Sequence, residues 1–509
     1  MNYILGIDQS TQGTKAILFD DKGVLVARSD LLHEQKISPE GWISHDPMDL
    51  YANTIQACRN VIAKAEIDPG DVAAIGISNQ RETTILWDEN GTPYEDAVVW
   101  QCRRAEEISA RHEAHAQTIR EISGLVLSPY YPAAKMAWLL EHQNLAATYH
   151  PQTPDPNASI RLGTVDAWLI WKLTAGKEFR TDASNASRTQ LFDLHTGNWS
   201  ETLCQLFGIH PNWLPVITDS NACFGYTDLE GLLPSPIPIH AVLGDSHAAL
   251  YGQGCHEKGQ VKVTMGTGSS IMMNIGENYQ QSLQGLSTSL AWRIDGKTEY
   301  VFEGNINYAG AVITWLIQDL GLIDDARQSE ACARAANALD ETILVPAFSG
   351  LSAPYWDEKA RGMICNMSRT TGRNELVKAA LESIGFQITD ILNAMASDSH
   401  LALREVKADG GPTKNRYLME FLSDMARTSI LVSDQEELSA IGAAYLAGIS
   451  CGLYEKETLF QKQSRNYSRY EQSMSIEKWK QKMDLWYDAI ERIQKEKSRR
   501  MTERMSASC

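Results

Sequence analysis

The stretch Gly244-Asp245-Ser246-His247-Ala248-Ala249-Leu250 follows the apolar run Ile237 to Leu243, so a strand ending in Gly-Asp turns into a helix of small residues. That turn sets one carboxylate at the lip of a cleft. An Asp so placed is more often a helix N-cap than a general base, and its weight comes from its flanks. Val261 to Asn274 (VKVTMGTGSSIMMN) is a pair of apolar runs hinged on Gly-Thr-Gly-Ser-Ser, and the N-terminus carries a matching unit, Tyr3 to Asp20 (YILGIDQSTQGTKAILFD). Tips made of Gly, Ser and Thr bring amides and hydroxyls close to a phosphate chain without steric obstruction. Phosphoryl transfer asks for that positioning and charge neutralisation more than for covalent chemistry by the protein. On this reading Ser10 to Thr14 and Gly266 to Ser269 face phosphates and Asp245 accepts a hydroxyl proton. Asp8, with Asp245, holds magnesium through water, because that ion sheds its hydration reluctantly. The chain contains no Gly-x-x-x-x-Gly-Lys-[Ser/Thr] loop and no Gly-x-Gly-x-x-Gly followed by a protein-kinase catalytic loop.

The elements that must position these groups follow from periodicity. Residues 3 to 29 read as three strands, a β-meander opening an α/β domain. Pro47 to Ala65 has helical period, with Asp46 as N-cap before a proline at the first helical position. Asp71 to Ser78 is a short buried strand delivering Asn79-Gln80-Arg81-Glu82-Thr83-Thr84 to its C-terminal end, where open α/β sheets place ligands. A strand from Thr84 to Asp88 and another toward Trp100 lead into Gln101-Cys102-Arg103-Arg104 and a long charged helix. Its His112 and His115 have the spacing and polar surroundings of a solvated face rather than of a zinc site. Pro151 to Asn157 reads as a proline-punctuated surface loop, and Thr164 to Leu173 as a helix. The first domain closes near Gly252-Gln253-Gly254. From Val261 the pattern restarts with a hairpin, a run from Glu299 to Glu303 and a helix from Tyr308 to Leu320, the mark of an internal duplication. Glu375 to Met395 is another long helix, and Val406 to Asn415 (VKADGGPTKN) is a strand feeding a Gly-Gly turn whose helix N-terminus suits a phosphate edge. Ile476 to Ile493 places Trp479, Met483, Trp486, Ile490 and Ile493 at helical spacing, and the tail beyond Lys495 is expected to fray. The expected units are residues 1–253, residues 254–455 and a C-terminal helix with its tail, 456–509.

Composition narrows the partners. A chain of 509 residues exceeds one core and fits two domains. The net charge of −18 disfavours nucleic acid and anionic membrane. No apolar run reaches a membrane span and no basic leader opens the chain, which reads as a soluble, cytoplasmic protein. Nine scattered cysteines without a Cys-x-x-Cys pair fit reduced thiols rather than a disulfide framework. The expected assembly is a homo-oligomer, a dimer or tetramer.

Tyr130 to His142 (YYPAAKMAWLLEH) fits the first signature of the FGGY carbohydrate kinases at every constrained position. Gly362 to Glu382 resembles the second, with Asn366 where that pattern has glycine. Asn79 to Thr84, Trp100 to Arg104, Gly163 to Asp166, Ser184 to Thr189 and Pro354 to Asp357 resemble the glycerol kinase branch, and the resemblance runs over about residues 3 to 450. It implies a fold of the actin/hexokinase/Hsp70 type, two ribonuclease-H-like domains closing a cleft over MgATP. It implies an acceptor held by Arg81, Glu82, Trp100, Tyr130 and the catalytic Asp245. It carries nucleotide contacts onto Thr11, Gln12, Gly13, Lys15, Thr267, Gly310, Thr314, Gly411 and Asn415. Ser10, Lys15 and Thr314 depart conservatively from the glycerol kinase pattern of Gly, Arg and Gln.

Two departures bear on the acceptor. Ser246 stands where the pattern has Gln, and Ser270 where it has a Phe closing over the acceptor's carbon chain. Both remove volume, and the second removes an apolar wall, so the pocket is expected to be longer and wetter than one built for three carbons. The expected reaction is phosphorylation of a terminal hydroxyl on a polyol or small open-chain sugar, four or five carbons ahead of glycerol. An ATP-binding sensor or scaffold on the same fold is the competing expectation. It has no use for Arg81, Glu82, Trp100, Tyr130 and Asp245 together.

Overall fold

The run Ile4-Leu5-Gly6-Ile7 is buried on both faces, which puts the first strand, Tyr3–Gln9, inside a sheet rather than at its edge. The computed structural model describes residues 2–145, 159–357, 359–463 and 467–507. Tyr3–Gln9, Gly13–Phe19 and Leu25–Leu32 pair antiparallel, and Val72–Asn79 and then Ile237–Gly244 extend the sheet in parallel on the other side. Parallel strands need a crossover. The helix Pro47–Ala65 supplies the first, capped by the Asp46 side chain on the Met48 N–H.

The second sheet repeats this topology. Val261–Met265, Ser269–Gly276 and Lys297–Ile306 are antiparallel, and Glu405–Asp409 and Ser429–Ser433 add in parallel beside Val261–Met265. The restart at Val261 is therefore a repeat of architecture. Ser287–Ile294 and Tyr467–Tyr470 extend this sheet at its two edges. The strand Ser287–Ile294 is not anticipated from sequence, since its Ser-Thr-Ser start hides the alternation. In both sheets the C-terminal ends of the two parallel strands and the adjacent hairpin tip open toward one cleft. The helices Asp245–Gly252 and Leu438–Ser450 pack against each other between the sheets.

Two expectations change. The long charged helix after Arg104 is broken into Glu106–Arg111, a single tight turn at Glu113–His115, and Ala116–Ser123. The bend lets Ile108 and Ile119 enter one apolar cluster, while the His112 ring packs on Phe207 at 4.6 Å. The C-terminal helix runs from Ile476 to Ala507, past the Lys495 at which the tail is expected to begin, as the good helix formers Lys, Arg, Glu and Met in that segment favour. Its Trp486 stacks on Phe386 at 5.0 Å and donates to Asp390 at 2.7 Å, which docks it on the second domain. The proline-rich loop expected at 151–157 lies outside the described residues. Among the described residues no helix is long and apolar enough to cross a membrane.

Candidate active site

Asp245 is the first residue of its helix, not the cap. Gly244 occupies the cap position, and among the described residues the Asp245 carboxylate accepts a hydrogen bond only from the adjacent Ser246 N–H, at 2.6 Å. The same carboxylate lies 3.2 Å from Arg81 Nε. Gly244 makes that approach possible, because a Cβ there would stand 2.7 Å from Arg81 Cγ and Cδ. Its N–H donates to Ser184 Oγ at 3.0 Å, and Ser184 donates to Asp182 at 3.0 Å, so the turn carrying Asp245 is tied to the buried helix Ala183–Ala186.

Arg81 donates from both terminal nitrogens to Glu303, at 3.0 and 2.8 Å. Arg188 reaches Glu303 at 2.9 Å and Glu82 at 2.7 Å. All four side chains are buried. Burial alone would raise the Glu303 carboxyl, but Arg188 and Arg81 hold it well below the usual carboxylate range. Glu303 belongs to Lys297–Ile306 in the second sheet, so these pairs join the two halves across the floor of the cleft. Arg81 is thus already held by Glu303 and approaches a ligand only with its remaining N–H groups. Among the described residues one Glu82 carboxylate oxygen has no hydrogen bond, and Glu82 sits at φ 61°, a left-handed conformation that non-glycine residues adopt rarely and often at functional sites.

Trp100 and Tyr130 form the side wall, ring edge to face at 5.7 Å. Trp100 Nε1 also donates to Thr11 at 2.9 Å, linking this wall to the first hairpin tip. Tyr130 is placed by the signature helix Pro132–His142. Buried Lys135 in that helix donates to the carbonyls of Pro129, at 2.8 Å, and of Tyr130, and burial pushes its amine down to about 7.

Ser246 and Ser270 meet across the cleft. Ser270 Oγ donates to Ser246 Oγ at 3.3 Å and accepts from the fully buried Lys262 at 3.2 Å. Burial pushes the Lys262 amine down to about 8, against the pull of Asp409. His247, beside Arg81 and Glu303, is fully buried with neither ring nitrogen hydrogen-bonded among the described residues, and burial pushes its imidazole well below the usual histidine range.

Of the residues expected from the resemblance to hold the nucleotide, Thr267, Gly310, Thr314, Gly411 and Asn415 lie on the second domain's hairpin tip and turns. Gly266 and Thr267 at the second hairpin tip accept from the N–H groups of Gly310 and Ala309, at 2.9 Å each, so that tip rests on the start of the helix Gly310–Gln318. Thr314 lies one turn along it, exposed, with its hydroxyl on the Gly310 carbonyl at 3.3 Å. Gly411 begins the turn after Glu405–Asp409, and Asn415 caps the helix Arg416–Ala426 while donating to Ser329 at 3.0 Å. At the tip of the first hairpin Gln12 is exposed, Thr11 is half-buried against Trp100 and Gly13 is buried. Lys15, however, is engaged by Glu437, which also takes Arg28 at 2.9 Å, and stands 3.8 Å from Asp8.

Asp8 accepts from Ser78 at 2.9 Å. Burial raises its carboxyl to about 6, with Lys15 and Ser78 opposing and the charge of Asp245 adding to the rise. Two carboxylates, Asp8 and Asp245, whose charges act on each other would suit a hydrated magnesium ion. Among the described residues no group of three or more His, Cys, Asp or Glu forms a metal cage of its own.

Glu303, Lys262, Arg188, His247 and Glu437 are missing from the residues expected by sequence. A charged residue inside a strand, such as Lys262 or Glu303, declares its role only when the opposite domain arrives. Arg188 did have a local signal, lying inside Ser184 to Thr189.

Residues 3–252 match the N-terminal domain of the FGGY family of carbohydrate kinases, and residues 261–451 match its C-terminal domain. The chain is 43% identical over 496 residues to glycerol kinase 1 of Thermotoga maritima, covering 96% of this chain and 99% of that one. It is 40% identical to the glycerol kinase of Caldanaerobacter subterraneus, with 97% and 99% covered. The structure superposes on Plasmodium falciparum glycerol kinase with ADP at a TM-score of 0.89, 34% identity, covering 97% of this chain and 98% of that chain. A xylulose kinase from Lactobacillus acidophilus shares the fold at a TM-score of 0.84 and 21% identity, covering 96% and 97%. Two family domains in order, two topologically equivalent sheets and relatives matched over nearly their whole length agree: the chain belongs to the FGGY family of carbohydrate kinases.

Proposed function

We propose that this carbohydrate kinase transfers the γ-phosphoryl group of MgATP to a terminal hydroxyl of a small polyol or open-chain sugar of four or five carbons. Asp245 accepts the proton of the attacking hydroxyl or orients it. Glu82, through its free oxygen, and Arg81 take adjacent hydroxyls, Trp100 lies along the carbon backbone, and Tyr130 closes the side. Thr11, Gln12, Gly13 and Lys15 from one half, and Thr267, Gly310, Thr314, Gly411 and Asn415 from the other, hold the nucleotide. Lys15 must exchange Glu437 for phosphate to do so. Asp8 and Asp245 hold magnesium through water. Magnesium would neutralise charge on the β- and γ-phosphates. Residues 1–253 and 254–455 act as the two closing units, and a dimer or tetramer is the working assembly, open to test by light scattering.

The observation that carries the acceptor reading is the pair Ser246 and Ser270, two hydroxyls meeting at 3.3 Å with a buried ammonium behind them. This end of the pocket is polar and small-walled, so a longer, hydroxylated chain is accommodated there. A second reading has support from relatives at 40 to 43% identity that carry the name glycerol kinase: glycerol itself is the acceptor. Extra room costs a small substrate little, so weak glycerol activity is expected in either case. ADP release measured over glycerol, erythritol, threitol, pentitols and ketopentoses, and repeated with Ser270→Phe, separates the two. A wide kcat/KM advantage for glycerol in the unaltered protein would decide for the second reading.

A further inference from the structure

Among the described residues the Asp245 side chain is held only by the neighbouring Ser246 N–H and the Arg81 guanidinium. Its place in the cleft is therefore set largely through its backbone. The Gly244 N–H just before it donates to Ser184 Oγ at 3.0 Å, and the Asp245 carbonyl accepts from Ser439 Oγ at 3.1 Å. Ser184 is the firmer support. A hydroxyl ordinarily rotates to suit its surroundings, but Ser184 is fully buried and gives its proton to Asp182 at 3.0 Å, which leaves its lone pairs for Gly244.

Asp182 takes more hydrogen bonds than a helix cap requires. Capping Ala183–Ala186 uses the Ser184 and Asn185 N–H groups, at 2.8 and 2.9 Å. Three further donors converge on the same carboxylate: the Ser184 hydroxyl, the Asn185 side-chain amide at 2.8 Å and the Ser220 hydroxyl at 2.8 Å. Burial raises this carboxyl, and the hydrogen bonds to it favour the charged form. Each extra donor leads in one step to a strand that carries the site. Ser184 leads to Gly244. Asn185 exchanges amide hydrogen bonds with Asn79, at 2.9 and 3.0 Å, and Asn79 ends the strand that delivers Arg81 and Glu82. The Ser220 carbonyl accepts from Val242 at 3.1 Å, within the strand that delivers Asp245, and its N–H donates to the Arg293 carbonyl of the second sheet at 2.6 Å. Asn79 and Gly244 are also partners across the parallel ladder, so the two strand ends lie side by side. We propose that Asp182 is a positioning residue for phosphoryl transfer: through Ser184 it fixes where the Asp245 carboxylate meets the attacking hydroxyl, and through Asn185 it fixes the strand end bearing Arg81 and Glu82 against it. This rests on the reading that Asp245 accepts or orients the acceptor's proton. Asp182 and Ser184 are fully buried and act only through these neighbours.

Ser184→Ala tests it, because it removes the hydroxyl relay and leaves both capping N–H bonds in place. ADP release is measured with MgATP and the best acceptor among glycerol, tetritols, pentitols and ketopentoses. Turnover should fall by about ten- to a hundredfold, the scale of a slightly misplaced reacting group. The KM values for acceptor and ATP should stay within about twofold, since only an interaction felt in the transition state is lost. Asp182→Asn disturbs both links, so kcat should fall and the acceptor KM rise together, with the KM for ATP unmoved. The deciding comparison puts Ser184→Ala into the Asp245→Asn background. There kcat should drop no further, because the carboxylate being positioned is gone. A merely structural loss would lower turnover by the same factor in both backgrounds. Asp182→Asn in the same two backgrounds gives the comparison independently if Ser184→Ala fails to fold. An equal fall in both backgrounds, or a kcat for Ser184→Ala within about twofold of the unaltered enzyme's, would overturn the inference while leaving the kinase reading intact. Full turnover by Asp245→Asn alone, or no ADP release with any of these acceptors, would overturn both.

Discussion

On the proposed acceptor side of the cleft, Arg81, Arg188, Glu82 and Glu303 are buried and hold one another with distances of 2.7 to 3.0 Å. On the nucleotide side, Thr267, Thr314 and Gly411 are exposed, and the hydrogen bonds that shape the tips are largely backbone to backbone. The difference separates two tasks. A nucleotide's phosphates present the same oxygens whatever the acceptor, so amides on a glycine-rich turn suffice. Hydroxyl geometry differs from one sugar to the next, so the acceptor wall is fixed in advance by charges that cannot relax independently.

The largest effect is expected at Asp245. Asp245→Asn keeps shape but cannot accept a proton, so turnover should fall by about 10²- to 10⁴-fold while ATP affinity, read by calorimetry, stays near its original value. Retained turnover would remove Asp245 from the chemistry. Next comes Glu303→Gln, which leaves two buried guanidinium groups without their shared anion. Breaking one partner of a buried charged network costs about 3 to 5 kcal/mol, so a fall in Tm and a rise in acceptor KM should appear together. Because its carboxyl is held below the unfolded value, the Glu303 contribution is present in full above about pH 4.3 and is lost only on acidification below that. The thermal stability attributable to this network should therefore not change between pH 7 and pH 5.

The nucleotide side should respond differently. At Gly410, φ is 98° and a Cβ would lie 2.0 Å from the Met265 carbonyl oxygen, whereas at Gly411 a Cβ meets nothing within 4 Å. Gly410→Ala should therefore destabilise the fold by about 1 to 3 kcal/mol. Gly411→Ala should leave stability within about 0.5 kcal/mol and change only the KM for ATP. If both variants lose stability equally, the contrast between a packed acceptor wall and an open nucleotide turn is drawn in the wrong place. The smallest effect is at Asp8, raised by burial to about 6. Between pH 7.5 and 5.5 the fraction ionised drops, so the apparent magnesium requirement should rise roughly fourfold.

The two sides also differed in how far the sequence revealed them. Hairpin tips are local, and Ser10 to Thr14, Gly266 to Ser269 and Gly410-Gly411 are readable from a few adjacent residues of permissive type. The sheets were legible for the same reason, from the apolar runs either side of the polar turn between Tyr3 and Phe19 and from Asp46-Pro47 at a helix start. The acceptor wall is not local. Glu303 lies 222 positions from Arg81, and within its own strand it looks like any solvent-facing glutamate. Lys262 reads as the polar member of an alternating strand until Ser270 folds over it. His112 carried no breaker signal, so the bend that divides the expected helix came from burial of Ile108 and Ile119, a tertiary demand.

The central claim is that this cleft passes phosphate to a carbon chain chosen by its acceptor wall. One competition measures it directly: MgATP with an equimolar mixture of glycerol, tetritols, pentitols and ketopentoses, and phosphorylated products identified by mass spectrometry. The account predicts ATP consumption only when an acceptor is added, with four- or five-carbon phosphates exceeding glycerol phosphate. ATP turnover indifferent to any acceptor, or glycerol phosphate as the dominant product, would contradict it.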